Sequence, residues 1–95
     1  MENCKIKHRD VSEKRLMKNR LNRIEGQLKG IRQMIEKDVY CDDILIQISA
    51  VEHSIKSLGR FVLKNHLKTC VKEELLRGND AIIEEVITSF GRLES

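Results

Sequence analysis

The amino-acid sequence predicts an all-α protein of three helices, the third one short. The chain has 95 residues, no proline, and only two Phe and one Tyr as aromatic residues. Charged residues make up 35% and hydrophobic residues 40% of it, a balance typical of long amphipathic helices. Apolar residues recur at helical spacing and never alternate with period two. We expect a single domain over residues 1–95, with residues 1–10 as a flexible tail.

The first helix is expected to begin near Val11. Asp10 precedes that position and Glu13 follows it, the pattern of an N-cap with its capping-box partner. Gly26 and Gly30 lower the helix propensity of this segment, so we expect a neighbouring helix to pack closely against them. Its apolar residues form a single stripe: Met17, Leu21, Ile24, Leu28, Ile31 and Ile35.

The second helix is expected to be long. Residues 36–43 read as a short connection, which places Cys41 at or just before the next N-terminus. The helical pattern then continues to about Arg77, where Gly78–Asp80 is a strong stop signal. A helix of roughly 34 residues is about 50 Å long, more than two helices of this chain can cover. We therefore expect the long helices to pair antiparallel with a second copy, as a dimer of the four-helix-bundle type.

Three soft or nitrogen donors, Cys41, His66 and Cys70, are candidate metal ligands. His66 and Cys70 lie at i and i+4 on one helix face. Cys41 precedes His66 by 25 residues, which is roughly 37 Å along a continuous helix. A metal–thiolate bond is only about 2.3 Å long. Either the helix folds back, or the third ligand comes from a second chain.

A second chain resolves this distance. If two copies of the second helix run antiparallel about a two-fold axis near Ile55, Cys41 of one chain meets His66 and Cys70 of the other, giving two sites per dimer. Two thiolates and one imidazole favour Cu(I), whereas zinc usually takes a fourth ligand. The alternative is that both cysteines are ordinary buried thiols and His66 a satisfied polar residue.

Positive charge is concentrated in the first third of the chain. Residues 1–32 carry ten Lys/Arg against four acids, and residues 33–95 carry eight against eleven. This asymmetry predicts a polyanionic partner, although a solvated basic helix face would give the same distribution. Lys56 and Arg60 on the second helix could extend the basic surface. His53 lies in the middle of that helix, and we expect it to be a core or surface residue without a functional role. The candidate residues on the first helix for contact with such a polyanion are Arg15, Arg20, Arg23, Lys29 and Arg32.

Four separated motifs resemble one known family. They are residues 20–31 (RLNRIEGQLKGI), the pair Tyr40-Cys41, residues 47–51 (QISAV) and residues 66–71 (HLKTCV). Together they are similar to the CsoR/RcnR family of metal-sensing repressors over roughly residues 12–90. The resemblance implies an all-α dimer that assembles into a tetramer, binds operator DNA when metal-free and releases it when metal binds. Arg20 matches a basic position of the family motif.

The resemblance also separates branches of the family. Cys41, His66 and Cys70 match the Cys-His-Cys set of the copper(I) sensors, which implies Cu(I). The nickel/cobalt branch has His in place of Cys70, and the persulfide-sensing branch lacks the histidine. Some nickel sensors share Cys-His-Cys and add an N-terminal histidine, where this chain has Arg9 next to His8. Ni(II) and a sulfur-species inducer therefore stay open, as does any role of Cys4 and His8.

Copper sensors of this family have two polar partners beside the metal ligands. A Tyr precedes the first Cys, which matches Tyr40. An acid on the last helix corresponds to Glu84 or Glu85, of which we prefer Glu85. The resemblance implies that these groups hydrogen-bond near the site and fix the orientation of His66.

Other classes of protein fit less well. The sequence has no catalytic acid–base pair, phosphate loop or nucleophile–base motif, so we expect neither an enzyme nor a small-molecule substrate. No apolar run approaches the roughly 18 residues of a membrane span, and the N-terminus does not read as a signal peptide. We expect a cytoplasmic protein with reduced cysteines. A small cytosolic copper-binding or chaperone protein is the main rival, but it leaves the basic first third unexplained.

Overall fold

A computed structural model describes residues 9–94, which form helices joined by short turns. Helix α1 spans Val11–Glu36 and helix α2 spans Cys41–His66. A π-helical turn, Leu67–Val71, leads from α2 into the short helix α3, Lys72–Leu76, and α4 spans Ile82–Glu94. No strand occurs among these residues, so the predicted all-α class is confirmed. Within the same range, no helix is long and apolar enough to cross a membrane.

The chain divides within α2 into two compact units, one of them formed by Val11–Leu58. In that unit α1 and the first part of α2 form an antiparallel hairpin, closed by residues 37–40. Asp38 takes the left-handed conformation at φ 55°, and the Val39 amide donates to the Met34 carbonyl at 3.0 Å. Ile24 and Val51 are its buried apolar residues.

Much of the predicted apolar stripe remains exposed in the Val11–Leu58 unit. A stripe of this size on a soluble chain normally packs against another molecule. A Cβ added at Gly26 or Gly30 would have no atom within 4 Å, so the close neighbour predicted for these glycines does not come from the described part of the same chain. The exposed aliphatic residues of this unit are Val11, Leu16, Leu21, Leu28, Ile35, Leu45, Ile46, Ile48 and Ile55.

Among the described residues, the second unit contains residues 9–10 and 59–94. Ile82 at the start of α4 is fully buried, together with Cys70 and Val71 of the π-helical turn. At the other end of α4, Leu93 packs directly against Gly59, where an added Cβ would clash with its side chain. These contacts fix α4 against the segment that carries His66 and Cys70.

The predicted stop after Arg77 is confirmed. Gly78 has φ 85°, a left-handed conformation that glycine adopts without steric cost. The buried Glu74 carboxylate accepts a hydrogen bond from Asn79 Nδ2 at 2.9 Å and lies 3.4 Å from an Arg77 guanidinium nitrogen. The Asn79 hydrogen bond, with help from Arg77, holds the pKa of Glu74 below its ordinary value. The C-terminal end of α3 is therefore stabilised by side-chain hydrogen bonds as well as by the glycine.

The π-helical turn was not predicted. The sequence indicated a regular α-helix through Cys70, but Leu67–Val71 is wound more loosely, with i to i+5 hydrogen bonds. One such turn shifts the helical spacing of the apolar residues by a single position. A stripe of apolar residues tolerates a shift of that size. π-Turns within helices occur frequently at functional sites, and this one contains Cys70.

Candidate metal centre and basic helix face

Cys41 is the first residue of α2, at the N-terminus where the sequence placed it. The connection predicted over residues 36–43 is shorter than expected, because α1 ends at Glu36 and α2 already begins at Cys41. Its thiol is free and exposed. Tyr40 precedes the helix with its side chain 73% exposed, and its carbonyl accepts the amide of Asp43 at 3.1 Å. Both side chains are therefore open to a second molecule.

His66 is the last residue of α2, and Cys70 lies in the π-helical turn that follows. His66 is half-buried, whereas Cys70 is only 4% exposed. The Cys70 sulfur is held in a disulfide bond, in contrast to the reduced thiols expected from the sequence. Since a thiolate is the metal-binding form of cysteine, Cys70 becomes a ligand only after reduction.

Glu85 of α4 lies beside His66. Its Oε2 atom is 4.0 Å from His66 Nε2, an ion-pair distance when the imidazole is protonated. The neighbouring Glu84 is exposed, and its backbone carbonyl accepts the hydroxyl of Thr88 at 3.0 Å. Of the two acids that the sequence left open, Glu85 is therefore the one whose carboxylate faces the histidine.

The described part of one chain does not assemble a complete metal site. Among residues 9–94, no group of three or more His, Cys, Asp and Glu side chains is arranged to hold a metal ion. Cys4 and His8, whose roles the sequence left open, lie outside the described residues. One chain thus offers the His66–Cys70 pair and an exposed Cys41 as separate parts.

The basic residues predicted to contact DNA lie along α1. Arg15 lines a shallow cavity of about 330 Å³ together with Lys14, Lys18, Asn19 and Asn22. The candidates nearer the C-terminus of α1, Lys29 and Arg32, are exposed. This helix therefore presents cations over most of its length, as a surface for a polyanion requires.

Arg20 and Arg23 line a second cavity, of about 220 Å³, with His53, Ser54 and Ser57 of α2. The sequence had given His53 no function, and it had not singled out the two serines. The sequence feature that could have indicated this cavity was the spacing of His53 and Ser57 at i and i+4, which puts both on the same helix face. It was missed because polar residues at that spacing are common on solvated helices.

Candidate soft metal ligands and a basic helix occur together in this chain, the combination expected of a metal-responsive regulator that acts on nucleic acid. Residues 13–92 match the family model described as metal-sensitive transcriptional repressor, and the chain belongs to this family. The family expected from the sequence is thereby confirmed. It is a family of repressors and not of enzymes.

Three relatives place the chain within the family. It is 40% identical over 90 residues to the copper-sensing transcriptional repressor CsoR of Bacillus subtilis (strain 168), covering 94% of this chain and 89% of the relative. The copper-sensing repressor CsoR with Cu(I) from Geobacillus thermodenitrificans NG80-2 superposes with a TM-score of 0.86 at 31% identity, covering 95% of each chain. The nickel-responsive transcriptional regulator InrS gives a TM-score of 0.74 at 25% identity, covering 93% of this chain and 97% of InrS.

Proposed function

We propose that this protein is a copper(I)-responsive transcriptional repressor. It binds operator DNA when metal-free and is released when Cu(I) binds between subunits, at Cys41 of one chain and His66 and Cys70 of another. The observation that carries the proposal is the His66–Cys70 pair with Glu85 facing the imidazole, in a chain 40% identical to a copper-sensing repressor. Action on chromosomal DNA implies a cytoplasmic location.

The donor set fits Cu(I). Two thiolates and one imidazole form a soft set of three ligands, and soft sulfur ligands select Cu(I) over harder divalent metals. Residues 9–94 of a single chain form no three-ligand cluster, whereas an exposed Cys41 is accessible to a partner. An antiparallel pairing of two α2 helices would bring Cys41 of one chain to the His66–Cys70 pair of the other. The same pairing would cover the exposed apolar stripe in a dimer. Two dimers would then form the tetramer.

Metal can release DNA only if it binds the DNA-free conformation more tightly than the DNA-bound one. His66 is suited to this coupling because its Nε2 atom faces Glu85, which leaves Nδ1 as the ligand nitrogen. With a cation held at Nδ1, the Nε2–H group of His66 would donate more strongly to the Glu85 carboxylate, and this hydrogen bond would draw α4 toward the end of α2. Tyr40, next to Cys41, supplies a further polar group on the other side of the site.

The basic face of α1 serves as the DNA-binding surface. Arg15, Arg20, Arg23, Lys29 and Arg32 would contact phosphates, so affinity should fall steeply with salt concentration. A tetramer repeats this face four times and can follow an extended stretch of duplex. Movement of α4 and α2 on metal binding would then change how these faces are presented.

Fluorescence anisotropy with a DNA fragment from upstream of the protein's own gene tests the proposal. The reduced, metal-free protein should bind the fragment with strong salt dependence, and Cu(I) should release it while Ni(II) does not. Release by Ni(II) or by a persulfide donor, with Cu(I) inert, would show that a different inducer acts on the same family fold. Tight Cu(I) binding without any DNA binding would instead favour a copper chaperone.

A further inference from the structure

The cavity between α1 and α2 in the Val11–Leu58 unit is lined by side chains that bind anions. Arg20 and Arg23 come from α1, and His53, Ser54 and Ser57 come from α2. No acidic residue is among these lining residues. A concave site with two guanidinium groups, an imidazole and two hydroxyls matches the donor-rich environment that a phosphate oxyanion requires.

The hydroxyl groups of this cavity have different roles. Arg20 donates from a guanidinium nitrogen to Ser57 Oγ at 2.9 Å, which holds the guanidinium against α2. Because Ser57 Oγ accepts in that bond, its own O–H remains able to donate to a ligand. Ser54 donates instead to the Ala50 carbonyl at 3.1 Å. Ser57 is therefore the hydroxyl available to an anion.

His53 is oriented by the backbone. Its Nδ1 atom lies 3.0 Å from the Ser49 carbonyl oxygen, and a carbonyl only accepts, so Nδ1 carries the proton. Nε2 is left for a ligand, and it can donate to a phosphate oxygen only after it takes up a proton from solvent. The charged neighbours of this ring are Arg20 and Arg23 from α1, with Glu52 and Lys56 along α2.

We propose that this cavity seats one backbone phosphate of the bound DNA, held by Arg20, Arg23, Ser57 and protonated His53. The inference rests on the proposed function, because it assigns a place to one phosphate of the operator. DNA is a better occupant than a free anion because cations continue along α1 outside the cavity, at Lys14, Arg15 and Lys18. Each seated phosphate then takes up one proton at His53, so operator affinity decreases as the pH rises.

The test compares operator binding by the reduced, metal-free wild type with that of His53→Ala and His53→Gln. Measurements are made at about pH 6 and about pH 8. His53→Ala should weaken binding by about tenfold at the lower pH and much less at the higher pH. For His53→Ala, the slope of log affinity against log salt concentration should be smaller by about one unit for each phosphate contact removed. His53→Gln, which keeps a side-chain N–H donor, should bind more tightly than His53→Ala at both pH values with little pH dependence.

Lys64→Gln is the matched control, because it removes a positive charge from α2 outside the lining of the cavity. It should retain the pH profile of the wild type. Wild-type affinity, salt slope and pH profile in His53→Ala would overturn the phosphate seat. A response of the His53 ring resonances to inorganic phosphate, with DNA binding unchanged by His53→Ala, would also overturn it, since a free anion would then be the occupant. A wild type that binds no operator DNA would overturn the proposed function itself.

Discussion

Replacing Glu85 by Gln isolates the link between the metal site and the DNA-binding surface. The substitution keeps the size of the side chain and removes its negative charge, 4.0 Å from His66 Nε2. Since Glu85 is not one of the proposed metal ligands, Cu(I) affinity should change little. The ability of Cu(I) to release the operator should decrease.

The magnitude follows from the distance and the exposure of the pair. With Nδ1 as the metal ligand, His66 is a neutral imidazole whose Nε2–H donates to the Glu85 carboxylate, and a hydrogen bond to a charged group contributes about 1.5–3 kcal/mol. The His66 and Glu85 side chains are 28% and 43% exposed, so solvent screening keeps the interaction near the lower value. We expect Glu85→Gln to reduce the coupling free energy by about 1 kcal/mol, which is about fivefold in the ratio of metal-free to Cu(I)-loaded operator affinity.

Two measurements on the same variant separate binding from coupling. Competition with a Cu(I) chelator gives the metal affinity, and fluorescence anisotropy gives the operator affinity with and without Cu(I). Glu84→Gln is the control, because it removes the same charge from the adjacent, exposed position of α4. It should behave as the wild type in both assays.

Two results would refute this reasoning. If Glu85→Gln keeps the wild-type ratio of operator affinities, the carboxylate does not transmit the metal signal. If Glu84→Gln loses as much coupling as Glu85→Gln, the effect comes from the net charge of α4 and not from the contact with His66.

Two further predictions concern the C-terminal unit. Gly59→Ala should raise the thermal unfolding temperature less than Gly91→Ala does, because the terminal methyl group of Leu93 has to shift to admit the added Cβ, which offsets part of the gain of about 1 kcal/mol in helix propensity. Gly91→Ala, with no atom within 4 Å of the added methyl group, should raise it, and equal stabilisation by both variants would contradict the packing described for Leu93. The pKa of Glu74 is lowered chiefly by the Asn79 hydrogen bond, so its ionised form stabilises the fold above the ordinary carboxyl range, and this stability is lost as the pH falls toward the lowered value. Urea unfolding of Glu74→Gln should show a smaller loss of stability in acid than the wild type, and an unchanged acid dependence would contradict this assignment.

Local signals predicted most of the helix boundaries. The N-cap pattern at Asp10 placed the start of α1, and the break in the apolar pattern before Cys41 placed the start of α2 to within about two residues. Gly78 marked the end of the long helical segment and takes the left-handed conformation that such an end requires. These features depend on residues within one turn of each other, so the sequence alone contains them.

Features that depend on tertiary packing were not accessible from the sequence. The choice between Glu84 and Glu85 depends on how α4 docks beside His66, and adjacent residues differ by only about 100° of helix rotation. The π-helical turn at Cys70 leaves the apolar pattern nearly unchanged. The cavity around His53 is lined by residues of two helices, and Arg20 of α1 donates a hydrogen bond to Ser57 of α2 there.

The most direct test of an inter-subunit metal site is a mixed oligomer of Cys41→Ser and Cys70→Ser chains. Each variant alone lacks one ligand of every site. In a mixed antiparallel dimer, the intact Cys41 of one chain meets the intact His66 and Cys70 of the other, which restores one complete site.

The measurement is Cu(I) affinity by chelator competition, on each variant alone and after the two have been unfolded and refolded together under reducing conditions. We predict that the mixture regains tight Cu(I) binding for about half of its dimers, with one site in each, while each variant alone stays weak. A mixture no tighter than its separate components would contradict a site shared between chains.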